Sequence, residues 1–156
     1  MSRERRQCDG NRIKGVRQIG VLKNQRGEQK LEVVTKAIEL AAYSVNTCKS
    51  EKNFPKKERW IMASRIANLA LDIVTAVRKA NDVRVSVAQD YLYRRQLQIE
   101  ASGNCEAMLT LIELAHKCFD LETRKTEYWV GMILELEKLI SKWRKSDRDR
   151  FGSLLK

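Results

Sequence analysis

The sequence is poor in the residues that make turns, with a single proline and only seven glycines among 156 residues. Sheet-rich chains of this length need more of them, because Gly and Pro supply the backbone conformations of tight turns. No segment alternates apolar and polar residues over a sustained stretch, which is the pattern of a half-buried strand. These shortages exclude a sheet and predict long, uninterrupted helices.

Long apolar runs are also missing. No stretch approaches the roughly 18 apolar residues that a membrane span needs, and no apolar core of a signal peptide is present. The four cysteines, Cys8, Cys48, Cys105 and Cys118, lie far apart and form no CxxC pair. The last three fall within helical patterns, so we expect small buried thiols in a reduced, cytoplasmic protein without membrane contact.

Residues that carry catalysis or bind metals are sparse. His116 is the only histidine, and Glu135 and Glu137 do not share a helix face. Neither a Walker-type phosphate loop nor a GxGxxG fingerprint is present. We therefore expect a non-enzymatic protein that uses no metal and no other cofactor.

Charge is what the sequence has in excess. Thirty-one Lys and Arg face 20 Asp and Glu, which gives a formal net charge of +11. Such a balance favours an acidic partner, above all nucleic acid. The chain is hydrophobic at 43% of its positions and long enough for one domain with a sizeable core.

Residues 1–30 differ from the rest, with four of the seven glycines and nine cations against three acids. This composition predicts a flexible basic arm unless a partner orders it. Such arms contact phosphates or remain solvated tails. The candidate nucleic-acid contacts in the arm are Arg3, Arg5, Arg6, Arg12, Lys14, Arg17, Lys23 and Arg26.

After the arm, apolar residues recur at three- and four-residue spacing in four stretches. They predict helices over 31–49, 55–79, 86–119 and 123–144. Four helices of this length with short connections are typical of an antiparallel up-and-down four-helix bundle, which we predict for residues 31–156.

The first half of the third predicted helix is unusual. Its apolar stripe, projected backwards, passes through Ser102, Gln98, Arg95 and Tyr91, which is polar for a core. Either the helix breaks near Gly103, or this end packs against a polar or subunit interface.

The predicted start of the second helix is basic, with Lys56, Lys57 and Arg59 following Pro55. Pro is favoured in a first turn, whereas cations there oppose the helix dipole. A docked polyanion would account for them, since free N–H groups and cations then face the same ligand. Three cations that point into solvent are the alternative.

Tyr91, Tyr93, Arg94 and Arg95 form the one compact aromatic–basic cluster. Such residues stack on unpaired bases and contact phosphates, and ordinary packing with extended arginines is the alternative. The cations near residue 144 suit either helix capping or RNA. The candidate contacts outside the arm are Lys56, Lys57, Arg59, Arg78, Lys79, Arg94, Arg95, Arg144, Lys145 and Arg148, with Arg150 beside them.

Three stretches resemble a known family: Phe54-Pro-Lys-Lys-Glu-Arg-Trp60, the run ending Val77-Arg-Lys-Ala-Asn81, and Tyr128-Trp129 together with Lys142-Trp-Arg-Lys-Ser-Asp147. They are similar to the four-helix-bundle family of the ribosomal intervening-sequence proteins and the accessory variability determinants of diversity-generating retroelements. The resemblance covers about residues 31–150. Arg78-Lys79, where intervening-sequence proteins carry an acidic ending, favours the retroelement branch.

The resemblance implies a non-catalytic homopentamer that binds a reverse transcriptase and structured template RNA, or an RNA–cDNA hybrid, during mutagenic cDNA synthesis. An intervening-sequence-type scaffold that binds proteins and no nucleic acid is the alternative. A DNA-binding regulator is disfavoured, because the helices are too long and the connections lack the tight Gly turn of a helix-turn-helix.

Overall fold

The computed structural model describes the backbone of residues 28–57 and 59–156, and the side chains of residues 32–57 and 59–156. This part of the chain forms four α-helices and no strand, which confirms the all-α class. The helices are α1 (Glu28–Lys49), α2 (Ala63–Asp82), α3 (Ala88–Cys118) and α4 (Thr123–Phe151), followed by a short 3₁₀ turn at Gly152–Leu155. The arm predicted over residues 1–30, with its cations from Arg3 to Arg26, lies outside the described residues except for 28–30, which begin α1.

Each helix packs against its neighbour in the chain, and α1 also packs against α4. The apolar stripes that face inward are those that the periodicity predicts for α2, the second half of α3 and most of α4. In α1 the stripe is rotated, because Ile38, which the spacing places inward, is 53% exposed while Leu40 is fully buried. Burying one such large aliphatic side chain stabilises the fold by about 1.5–3 kcal/mol.

One hydrogen bond joins α1 and α4 inside this core. Trp129 Nε1 donates to Ser44 Oγ at 2.8 Å, and the Ser44 hydroxyl donates to the carbonyl of Leu40 at 2.7 Å. Both side chains are buried. The serine therefore satisfies the indole N–H, which would cost about 1–3 kcal/mol if it were left without a partner.

The second helix begins later than the sequence indicates, at Ala63 rather than at Pro55. Residues 51–57 and 59–62 form turns and irregular backbone, so Lys56, Lys57 and Arg59 do not lie in the first turn of a helix. The reason is Phe54, which is fully buried with its ring 5.5 Å from that of Phe119. The chain turns to insert this side chain before the apolar period of α2 begins.

The third helix is continuous through Gly103, so a break there is excluded. It begins at Ala88 rather than near Ser86, because the Asp90 carboxylate accepts hydrogen bonds from the N–H groups of Ser86 and Val87. The fourth helix continues to Phe151, and the predicted end at residue 144 is wrong.

The cysteines divide by burial. Burial raises the pKa of both Cys48 and Cys105 to about 12, which keeps these thiols protonated. Cys118 is exposed at the end of α3, so the prediction that it is buried is wrong. Cys8 lies outside the described residues. No helix in the described part combines the length and apolar character needed to cross a membrane.

Glu137 of α4 lies beside Glu106 of α3. Partial burial, and secondarily the Glu106 carboxylate, raise the pKa of Glu137 above its usual value. We expect Glu137→Gln to increase the free energy of unfolding by about 0.5 kcal/mol at neutral pH, because it removes a partly buried charge that also faces the Glu106 carboxylate. A carboxyl group whose pKa is raised on folding destabilises the folded state at pH values above the raised pKa. At pH values below its pKa in the unfolded chain it has no such effect. The gain should therefore vanish in urea titrations near pH 4.

The matched control is Glu127→Gln, an exposed glutamate on the same helix. It should leave stability unchanged at both pH values. A Glu137→Gln variant that is equally stabilised at acidic and neutral pH would contradict the assignment.

Candidate nucleic-acid interface

A groove of about 340 Å³ lies between α3 and the C-terminal part of α4. One of its side chains comes from α3 and the others come from consecutive turns of α4. We call this surface the basic groove, and its lining residues are Arg95, Ser141, Lys142, Arg144, Lys145 and Arg148.

Helical spacing explains how one segment of α4 presents so many cations. Ser141, Lys145 and Arg148 are three and four residues apart and share a face. Trp143 and Asp147, from the same turns, point into the core instead. The segment therefore separates a cationic side from a buried side.

The basic groove contains five cations and no carboxylate among its lining residues. Among the described residues, none of these five cations forms an ion pair. Lys142, Lys145 and Arg148 are exposed, and Arg95 and Arg144 are half-buried at the sides. Like charges held in one concavity focus a positive field, which raises the local concentration of a polyanion.

A buried polar cluster joins α3 to α4 next to the groove. Arg94 donates from Nε to Asp147 Oδ2 at 2.6 Å and from Nη2 to Asp147 Oδ1 at 3.0 Å. Gln98 Nε2 donates to the same Oδ2 at 2.7 Å, and Arg94 Nη1 donates to the Val83 carbonyl at 3.3 Å. Arg94, Gln98 and Asp147 are each 2% exposed or less. Such charges stay buried because each is paired and hydrogen-bonded.

Two aromatic side chains from the same two helices are buried near this cluster. The Arg94 guanidinium lies 5.1 Å from the centroid of the Trp143 ring, within the range of a cation–π contact. Tyr91 is buried, with its ring 6.0 Å from that of Phe151. The interpretation of Tyr91 and Arg94 as a surface that stacks on bases is therefore wrong. Tyr91, Arg94 and Gln98 are buried inside the chain, where Arg94 and Gln98 contact Asp147.

The cations before α2 lie elsewhere and are partly neutralised. Lys56 Nζ is 3.1 Å from Glu51 Oε1, and Arg59 Nη2 is 3.6 Å from the same oxygen. Arg59 Nε also donates to the Phe54 carbonyl at 3.1 Å. Arg59 thus holds the turn together, whereas Lys57 is exposed.

The structure therefore brings together only part of the predicted set. Arg95, Arg144, Lys145 and Arg148 line the basic groove, while Arg78 is paired with Asp82 at 3.5 Å and Lys79 lies outside the groove lining. Lys142 was missed, although it lies three residues before Lys145 on the same helix and its spacing would have found it.

The one Glu-x-x-His spacing in the described helices is Glu113 and His116. Glu113 accepts from Lys117 Nζ at 2.9 Å, and His116 is half-buried. The described residues contain no group of three or more His, Cys, Asp or Glu side chains placed to hold a metal ion. Among the described residues, the basic groove, with five cations and no carboxylate in its lining, is therefore the candidate binding site.

The fold and the groove define a basic, all-helical protein with a cationic cleft between two helices. No family model, no curated protein and no solved structure matches this sequence.

Proposed function

We propose that this protein is a non-catalytic accessory factor that binds structured RNA, or an RNA–cDNA hybrid, through the basic groove. The observation that carries the proposal is the set of five groove cations without a neutralising carboxylate in the lining. Isolated surface cations are common on proteins, but a concave cluster of one sign is the electrostatic footprint of a nucleic-acid partner.

The mechanism is electrostatic. The groove cations neutralise phosphates and release condensed counterions, which provides affinity without reading sequence. The three motif stretches that resemble the retroelement accessory proteins supply the context. The partner is then a reverse transcriptase, which contributes the polymerase active site, and the complex supports mutagenic cDNA synthesis in the cytoplasm. We further propose the up-and-down antiparallel helix order, with the basic arm of residues 1–30 adding phosphate contacts.

Exposed apolar side chains on all four helices support self-association, for which we propose the homopentamer that the resemblance implies. Examples are Ile38 at 53%, Leu71 at 50%, Leu114 at 45% and Tyr128 at 60% exposure. The same surfaces favour the second candidate function, an intervening-sequence-type scaffold that assembles with proteins and binds no nucleic acid.

Salt dependence of RNA binding tests the proposal. Five phosphate contacts predict a slope of log K against log salt of about −4, so affinity should fall roughly 100-fold or more between 50 and 200 mM salt. A gel-shift or fluorescence-anisotropy titration with a structured RNA measures it. Deleting residues 1–30 should weaken binding further.

Two outcomes would contradict the proposal. The first is RNA affinity that does not change with salt. The second is a protein that forms oligomers in light scattering yet retains no RNA, which is the result expected of the scaffold.

A further inference from the structure

The connection between α1 and α2 presents a tryptophan to solvent. Trp60 is 73% exposed, more than any other large apolar side chain in the described residues. Tryptophan is usually well buried because its large ring gains much from leaving water. Trp129 and Trp143 follow that rule at 1% and 8% exposure. We call residues 50–62 the Trp60 loop.

The Trp60 loop is anchored on both sides of the exposed ring. Before it, the fully buried Phe54 packs on Phe119. Next to it, Arg59 Nε donates to the Phe54 carbonyl at 3.1 Å, and the Ser64 N–H donates to the Arg59 carbonyl at 3.0 Å. Hydrogen bonds and a core side chain therefore fix the backbone from which Trp60 projects.

Three lysines precede the exposed ring on the same loop. Lys52, Lys56 and Lys57 are exposed, and Lys57 forms no ion pair with a described residue. Lys56 is paired with Glu51 at 3.1 Å, in a contact between two exposed side chains that a phosphate can replace. A projecting aromatic ring with lysines beside it is the combination that single-stranded nucleic-acid sites use, with stacking for the base and charge for the backbone. A purely apolar partner would leave these lysines desolvated without compensation.

We propose that Trp60 stacks on an unpaired base of the bound RNA, while Lys56 and Lys57 contact the flanking phosphates. The proposal rests on the proposed function and adds a chemical class to it, namely unpaired nucleotides. Stacking tolerates any base, because every base has a π-face. The loop therefore selects for single-stranded character rather than for sequence.

The Trp60 loop and the basic groove lie at different ends of the bundle. Phe54 ties the loop to Phe119, just before α4 begins at Thr123. The groove lining on α4 starts at Ser141, which lies about 27 Å further along a helix rising 1.5 Å per residue. The two surfaces therefore contact separate parts of a long RNA.

The test compares two ligands with the full-length chain. One is an oligouridine of about 20 nucleotides, and the other is an abasic ribose-phosphate chain of equal length and charge. The wild-type protein should bind the base-containing ligand about 10-fold more tightly, the effect expected from stacking one base. Trp60→Ala should bind both ligands equally, and Trp60→Phe should retain most of the preference.

A groove variant separates this proposal from the proposed function. Arg144→Ala combined with Lys145→Ala should weaken binding of both ligands by the same factor and leave their ratio unchanged. A Trp60→Ala protein that keeps the preference for bases would overturn the stacking proposal alone. The stacking proposal would also be overturned if Trp60→Ala changed the oligomer mass in light scattering but left the ratio of the two ligand affinities unchanged. Failure of the wild-type protein to bind oligouridine while it still binds a structured RNA would overturn the stacking proposal alone, and failure to bind any of these RNAs would overturn both proposals.

Discussion

Replacing Asp147 with alanine is expected to lower the free energy of unfolding by about 3–5 kcal/mol, the cost of leaving a buried charge without its partner. Arg94 is 2% exposed and donates two hydrogen bonds to Asp147. Asp147 is the acid paired with Arg94 among the described residues, and Gln98 also loses its acceptor when the carboxylate is removed. Urea denaturation followed by circular dichroism measures the change.

Asp149→Ala is the matched control, because Asp149 is an exposed aspartate on the same helix. We expect it to change stability by less than about 0.5 kcal/mol. The double variant Arg94→Met with Asp147→Leu should recover most of the loss, since an apolar pair of similar volume replaces a buried ion pair at little cost. A loss below about 1 kcal/mol for Asp147→Ala would show that the pair is solvated in solution.

Reversing two groove charges, with Arg144→Glu and Arg148→Glu in one protein, should weaken RNA binding by about 100-fold or more at low salt. If the groove binds phosphates as proposed, the change removes two phosphate contacts and places two repulsive carboxylates in their positions. The slope of log K against log salt should become shallower by about two, because two fewer phosphates are neutralised. Fluorescence anisotropy with a labelled structured RNA measures both quantities.

The matched control reverses two cations outside the groove, Arg65→Glu with Arg124→Glu, and changes the net charge by the same amount. Both are exposed residues. If the groove is the interface, the RNA affinity of this control should fall by less than about fivefold, because exposed charges beyond a Debye length are largely screened. Equal losses of RNA affinity in the two proteins would mean that binding depends only on the overall charge and not on the groove.

Much of the fold could be predicted from the sequence. The apolar stripe from Met62 to Ala80 and the stripe from Trp129 to Trp143 each place their side chains inside, because three- and four-residue spacing leaves a helix little choice of face. The start of α2 could not be predicted this way. Pro55 and its neighbours indicate a helix start when only the local sequence is considered. The contact of the buried Phe54 with Phe119 is long-range, and it overrides this local preference.

The site was harder to predict for the same reason. Arg94 and Arg95 are adjacent in the sequence and look equally basic, yet one is buried on Asp147 and the other lines the groove. A complementary signal did exist, since Asp147 continues the inward stripe of Ile140 and Trp143 at helical spacing. Only the pairing of two helices shows that this aspartate faces Gln98 and Arg94 across the interface.

The C-terminal turns of α4 keep their structural and surface roles on separate residues. Trp143 and Asp147 point inward, whereas Lys142, Lys145 and Arg148 point into the groove and form no ion pair with the described core. Substitutions in the second set can therefore accumulate with little effect on folding. A lineage, or a protein engineer, can therefore change the charge of the groove without first having to rebuild the scaffold.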